Sequence, residues 1–398
     1  MSNITLRQTH PQKYWLKMVC KCIYYLGLGE FWYEARHSRF QRFYPIWAII
    51  SNFYIIILIV DELFSYIRQD LTMKEKHDLL QLSIGHPIIC AKIVVMYLTF
   101  LSIKIVLERL LEDNRSIFPS AKLDNDSIKT AMKYCLAIAC AVYLTSFATI
   151  MDGVMTHIKE DIPIRTEVTY FPGKHHSGFF VNLLRFIIEF HWWYIVSIMI
   201  LIDCLSILSL TFSGSKFRRV RLYFKSLRNR FLENPHRKLN AAEEKQFWQD
   251  FVDGIKLHDD ALWCAENVQH ALGDIYSVQI VESIGLIIVC LIKLVTIERH
   301  LTPILANLGF ILGLVVVTGS YMMDAAEITY EASLVSTAIF HCGWEFVSPR
   351  AGLRTLVVMA IQRSQVPVLM TAFGIITLSY SNFIMVLRSS YSFFAVMF

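Results

Sequence analysis

Seven stretches of this chain stay apolar for long enough to cross a bilayer, at roughly 43–66, 79–105, 128–151, 180–212, 273–297, 302–323 and 367–397. A spanning helix needs about 20 mostly apolar residues. Lipid offers backbone amides no partner, so such segments must satisfy their hydrogen bonds internally, as helices do. The expected fold class is an all-α membrane protein with seven transmembrane helices. Composition points the same way. Of 398 residues, 55% are hydrophobic and only 18% charged, whereas a soluble domain carries nearer a quarter. The net charge of +5 is modest and unevenly spread, which argues against a nucleic-acid partner. No signal-peptide core precedes residue 43, so the first apolar run is expected both to target the chain and to anchor it.

Loop charges set the expected orientation. Lys and Arg crowd the amino-terminal segment (Arg7, Lys13, Lys17, Lys21, Arg36, Arg39, Arg42) and the loop after the second span (Arg109, Arg115, Lys122, Lys129). The loop after the fourth span is richest, with Lys216, Arg218, Arg219, Arg221, Lys225, Arg228 and Arg230, then Arg237, Lys238, Lys245 and Lys256. These loops are expected in the cytoplasm. That places the amino terminus inside and, with an odd number of spans, the carboxyl terminus outside. Two sequons, Asn3-Ile-Thr5 and Asn125-Asp-Ser127, favour the opposite orientation but are short enough to arise by chance. The chain then divides into a cytoplasmic segment (1–42), spans one to four (43–212), a cytoplasmic loop with anchor helices (213–272), and spans five to seven (273–398).

The segment 213–272 does not read as a plain linker. KFRRVRLYFKSLRNRF mixes cations with apolar residues at helical spacing. From Leu239 to Ala271, Phe247, Phe251, Ile255, Leu262 and Val268 recur mostly at intervals of three, four or seven, which predicts an amphipathic helix. Asn240, with Glu243 three residues on, suits a capping box. Ala325–Phe340 extends the sixth span inward, with Asp324, Glu327 and Glu331 expected on its exposed side. These extensions predict a cytoplasmic helical bundle.

No catalytic signature is present: there is no His-Glu-x-x-His, no Gly-x-Ser-x-Gly and no Walker loop. An enzyme, a cofactor and a metal site are therefore not expected. Cys20-x-Cys22 has the wrong spacing for zinc. No predicted outer loop holds a cysteine, so no extracellular disulfide is expected. Lys92, deep in the second span, is expected to pair with Asp203 or Glu282 on a neighbouring helix, since a lone charge there is costly. His86-Pro87 and Gly153 mark places where helices could part around a ligand. His191, Trp192, Trp193 and Tyr194 point to different faces, so only part of that group can face a cavity.

The carboxyl-terminal tail is the most distinctive segment. Pro367 should break the helix before it. The last apolar run, from about Pro367 to Phe398, carries Ser379, Ser381, Asn382, Arg388, Ser389, Ser390 and Ser392, polar groups that a spanning helix could turn toward a water-filled pore. The tail resembles that of insect odorant receptors. The resemblance covers roughly the last 80 residues: Gly319-Ser-Tyr321, Glu327, Trp344, Arg350, Arg363-Ser-Gln365-x-Pro367, Thr371-Ala372 and Ser390-Tyr-Ser392-x-Phe394. Length and topology agree along the rest. A gustatory receptor-like channel shares the topology, but the terminal motif of gustatory receptors, Thr-Tyr followed by apolar residues and Gln-Phe, is missing here. A G-protein-coupled chemoreceptor, the other alternative, needs an outer amino terminus, and neither Asp-Arg-Tyr nor Asn-Pro-x-x-Tyr occurs.

What the resemblance implies is specific. The chain resembles an odorant-tuning subunit in the plasma membrane of a sensory neuron dendrite. Such a subunit forms a heterotetramer with the odorant receptor co-receptor around one central cation pore. A small, mostly neutral volatile would bind in the outer half of the helix bundle. At the depths the family uses, helical spacing selects Leu82, Ile89, Tyr143, Phe147, Ile150, His191, Tyr194, Ile195 and Met199 as candidate ligand contacts. Alignment of the last helix puts Val396 at the apolar constriction, with Ser389, Ser392 and Phe393 lining or bracing the pathway. The hydroxyls at 389 and 392 share a face that Val396 continues, which suits a wetted stripe ending in a dewetting barrier. Lipid is the remaining partner.

Overall fold

The computed structural model describes residues 10–34, 39–111, 117–160, 163–164, 166–232, 239–296, 301–347 and 351–397. The sequon at Asn3 and the cations Arg7, Arg36, Arg115, Arg237, Lys238 and Arg350 lie outside the described residues. The helices are α1 (Pro11–Tyr25), α2 (Tyr44–Ser65), α3 (Met73–Leu98), α4 (Phe100–Leu111), α5 (Ala121–Glu160), α6 (Phe179–Leu232), α7 (Ala241–Thr296), α8 (Leu301–Phe340), α9 (Ala351–Ser364) and α10 (Tyr380–Met397). Among the described residues, six of them (α2, α3, α5, α6, α7 and α8) are long and apolar enough to cross a membrane. α6 is the central one, its apolar stretch being far more buried than that of any other span.

Two expected spans are shaped differently from their sequence outline. The run 79–105 divides at Thr99, where α3 gives way to α4. The Thr99 hydroxyl donates to the Val95 carbonyl at 2.9 Å, the kind of local bond that competes with helix continuation. α4 then turns to bury Ile103, Val106, Leu107 and Leu110 against the bundle. The run from Pro367 is not helical until Tyr380. Pro367 lacks the amide that would continue α9, and the chain forms a small hairpin of β1 (Thr371–Ala372) and β2 (Ile376–Thr377). Gly374 takes the left-handed conformation at its tip, with φ of 68°. Gln269 of α7 clamps the hairpin: its amide nitrogen donates to the Thr371 carbonyl and its oxygen accepts from the Thr371 amide, both at 2.8 Å.

The segment 213–272 contributes to two long helices. α6 runs unbroken through the basic stretch to Leu232, and α7 begins at Ala241 and continues into the fifth apolar run. Its start is a capping box as the spacing predicts, with Asn240 and Glu243 exchanging backbone-to-side-chain bonds of 2.8 Å. Phe217, Phe224 and Leu227 of α6 bury fully against Phe247 and Phe251 of α7. Gly254 is required there, because a Cβ would lie 2.7 Å from the Phe224 ring. Of the three acids expected to be exposed on α8, only Glu327 is. Asp324 is buried and accepts from the Thr211 hydroxyl at 2.7 Å. Glu331 is buried beneath a two-pronged contact from Arg221, at 2.7 and 2.9 Å. α6 supplies a partner for each, a hydroxyl for Asp324 and a guanidinium for Glu331, and a helix that packs against it can bury them. Asn125 is exposed near the start of α5. All nine cysteines are free.

Candidate functional site: an interior cavity and an exposed terminal helix

α3, α5, α6, α7 and α8 line a cavity of about 420 Å³, and residues of the loop between α5 and α6 cover part of it. That volume lies within the range of small-molecule sites. Its middle is apolar, with Leu82 and Ile89 of α3, Trp192, Val196 and Met199 of α6, and Phe310, Leu314 and Val317 of α8. α5 contributes a different surface. Val142, Thr145, Ser146, Thr149, Asp152 and Thr156 recur at intervals of three and four and face inward together. Their hydroxyls are committed: Thr145, Ser146, Thr149 and Thr156 each donate to the carbonyl four residues back, at 2.8, 2.9, 3.1 and 2.9 Å. The wall is therefore polar but largely self-satisfied.

Charges line both ends. Asp203, Gln279 and Glu282 are among the lining residues, and behind them the fully buried Lys92 lies 3.1 Å from Asp203, 2.9 Å from Glu282 and 2.5 Å from the Gln279 oxygen. The expected pairing is thus met from both helices at once. Tyr321 of α8 donates to the same Asp203 oxygen at 2.9 Å, so one network joins α3, α6, α7 and α8. Nearer the loop-covered end, Lys74 pairs with Asp152 at 2.5 Å and Lys293 with Asp78. His86, which precedes Pro87 within α3, contacts Glu62 of α2 through Nδ1 at 2.8 Å. Its Nε2 faces Glu167 of the loop at 3.8 Å. Burial, reinforced by the carboxylates of Glu62, Glu189 and Asp61, pushes the Glu167 carboxyl well above the usual range.

The sequence of residues 72–391 matches the 7tm odorant receptor family. The chain belongs to that family. Its fold is similar to that of the olfactory receptor OR5 from the insect Machilis hrabei. The structure of OR5 in complex with eugenol aligns at 12% identity with a TM-score of 0.76, covering 99% of this chain and 98% of that one. A second OR5 structure aligns at the same identity and coverage with a TM-score of 0.73. A comparison with curated protein sequences gave no significant match.

In this odorant receptor, three of the nine expected contacts line the cavity: Leu82, Ile89 and Met199. The other six point elsewhere. Tyr143 and Phe147 lie on the outer face of α5, Phe147 being 58% exposed, and Tyr143 bonds Ser197 at 3.0 Å. Ile150 packs against the core from the same helix. His191 lies edge-on to Tyr54 and against Tyr194, the Tyr194 hydroxyl donates to the Leu26 carbonyl, and Ile195 is buried in the core. The physical reason is one of phase. Helical spacing and depth do not fix which way a helix is rotated, and a membrane helix can turn its apolar face to lipid and its hydroxyls inward. The Thr-Ser-Thr-Asp-Thr stripe of α5 carried the signal.

α10 packs on α7 and α8 through Phe383, Val386, Leu387 and Ser390. Phe383 sits against Gly319 of α8, where a Cβ would come within 3.3 Å of its ring. Not all of the tail's polar residues face outward. Ser379, Ser381 and Asn382 bond one another and Thr377 at the helix start. Ser390 is buried and donates to Val386 at 3.0 Å. Ser392, Phe393 and Val396 remain on an exposed face, Val396 at 87%, and Ser389 is half-buried at its edge.

Proposed function

We propose that this receptor is the odorant-binding subunit of a ligand-gated, non-selective cation channel that assembles with the odorant receptor co-receptor. In this reading seven helices cross the membrane. α10 is the seventh, the amino terminus lies in the cytoplasm and the carboxyl terminus lies outside. The basic residues of α6 and of the segment before α2 support that orientation. The observation that carries the reading is the cavity lined by α3 and α5–α8, with α8 reaching both its wall and, through Gly319, the helix α10. A ligand filling the cavity would alter how α8 sits and hence how α10 presents its exposed face. The occupant is a small volatile of mostly neutral, apolar character, since the middle of the cavity is aliphatic and aromatic and its hydroxyls are satisfied. The eugenol-bound relative of like fold suits this class. On α10, Val396 forms the dewetting constriction, Phe393 braces it, and Ser389 and Ser392 border the wet path.

The test is ion current in cells expressing the chain with and without the co-receptor, over a panel of volatiles. Odorant-evoked cation current only in the pair is the expected result. No current to any volatile, with both chains at the surface, would remove the reading. Val396→Ser should raise ligand-free current or change ion selectivity; normal closure at normal surface level would put the constriction on other residues. Surface staining of an amino-terminal epitope tag in unpermeabilised cells would overturn the orientation.

A further inference from the structure

At the loop-covered end of the cavity, three side chains from three elements converge without a role in the odorant reading. Glu62 comes from α2, His86 from α3 and Glu167 from the loop. All three are buried, and one ligand atom from each lies within 4.8 Å of the other two. We infer that Glu62, His86 and Glu167 form a binding site for a divalent transition-metal cation of zinc type.

The donor set favours that class. Imidazole with carboxylates suits zinc and its first-row neighbours, whereas magnesium and calcium take oxygen donors. Zinc holds N and O ligands at about 2.0–2.2 Å, so neighbouring donors in a tetrahedral site stand about 3.3–3.5 Å apart. The 3.8 Å gap between His86 Nε2 and Glu167 Oε1 needs little closure. Glu62 meets the same ring at its other nitrogen, Nδ1, at 2.8 Å, so a cation held by all three groups replaces that contact as the Glu62 carboxylate turns toward it.

A second observation points to a cation. Neither oxygen of Glu167, nor the second oxygen of Glu62, accepts a hydrogen bond, although both side chains are essentially inaccessible. Buried carboxylate oxygens without donors are costly. A divalent cation would satisfy the orphaned oxygens. His86 and Glu167 line the cavity, which provides an entry path and room for a water in the open coordination position. A bound metal would tie the loop to α2 and α3 and so stiffen the cover over the odorant cavity.

The test reads metal uptake, so it does not rest on the gating reading. Receptor–co-receptor complexes are purified from wild type, Glu167→Gln and His86→Gln, and titrated with cobalt(II), followed by its visible absorption, and then with zinc as competitor. Co-receptor background is common to all three, so differences report this subunit. Wild type should bind with an affinity at least tenfold above either variant, and zinc should displace the cobalt. Calcium and magnesium should not. Should His86→Gln fail to assemble, Glu167→Gln, in a loop, carries the comparison. Equal affinity in wild type and Glu167→Gln, or no saturable cobalt band in wild type, would overturn the proposal and leave the cluster as a group that shares protons.

Discussion

The two ends of this receptor are built on opposite terms. Around the cavity, five helices stand apart by about 420 Å³ and hold buried charges in networks. In the bundle where the far ends of α6, α7 and α8 meet α9, space is filled so tightly that Gly254 has no room for a methyl group beside Phe224. Close-packed interiors resist deformation, and regions with voids and few apolar contacts are where alternative arrangements cost least. Under the proposed function, the first region responds to ligand and the second keeps subunits in place while it does so. If that division holds, substitutions in the two regions should fail differently.

The largest effect is expected where the cavity region depends on charge balance. Lys92→Met leaves Asp203 and Glu282 buried without a cation, a loss of about 3–5 kcal/mol. The variant should be retained inside the cell or melt far earlier in purified complexes. Adding Asp203→Asn and Glu282→Gln should recover much of that stability, because the cost lies in the uncompensated charge. No recovery in the triple variant would mean that Lys92 supports the fold through packing, and the contrast between the two regions would weaken.

Overpacking the bundle comes next. Gly254→Val puts a branched side chain into the Phe224 and Tyr223 rings, which lie 2.7–3.0 Å from the position of a Cβ. Such insertions cost about 1–3 kcal/mol. Assembly with the co-receptor and the melting temperature should fall, while the channels that reach the surface keep the normal odorant midpoint. A shifted midpoint would show that the bundle takes part in sensing.

A third comparison separates the two faces of the cavity helices. Met199→Ala and Leu82→Ala remove wall contacts and should weaken odorant response by about 1–2 kcal/mol, roughly 5- to 30-fold in midpoint. Phe147→Ala, on the outer face of α5, should leave the midpoint within about twofold. The reverse order would place the odorant outside this cavity.

These faces also show what the sequence could and could not tell. Spans, helix extensions, the Asn240 cap and the break at Pro367 follow from local rules of apolar length and capping, each visible in a few residues, while the pairing of Lys92 follows from the cost of a lone charge within a span. The cavity depends on helix rotation, which a run as apolar as 180–212 does not encode on its own. Trp192, Val196 and Met199 face inward while His191, Tyr194 and Ile195, chosen on the same helix, face α1, α2 and the core. The stripe from Thr145 to Thr156 did encode it, by polarity rather than by aromatic content. The burial of Asp324 and Glu331 was hidden for another reason: it needs Thr211 and Arg221 from a helix over a hundred residues earlier.

The smallest expected effect concerns pH in the bundle. His258 of α7 is buried near Phe217, and burial together with nearby Arg363 holds its pKa down at about 4, against the opposing pull of Asp259. The folded state therefore keeps His258 neutral where the unfolded chain takes up a proton, near pH 6.5. Between these values the unfolded state binds more protons, so stability falls as pH falls from about 6.5 toward 4, by roughly 1 kcal/mol for each unit. Melting of the purified complex at pH 7.5 and 5.5 should show the bundle losing stability, and His258→Gln should flatten that slope without moving the odorant midpoint at pH 7.5. An unchanged slope in the variant would assign the acid sensitivity to other groups. A moved midpoint would break the separation between the region that senses and the region that holds.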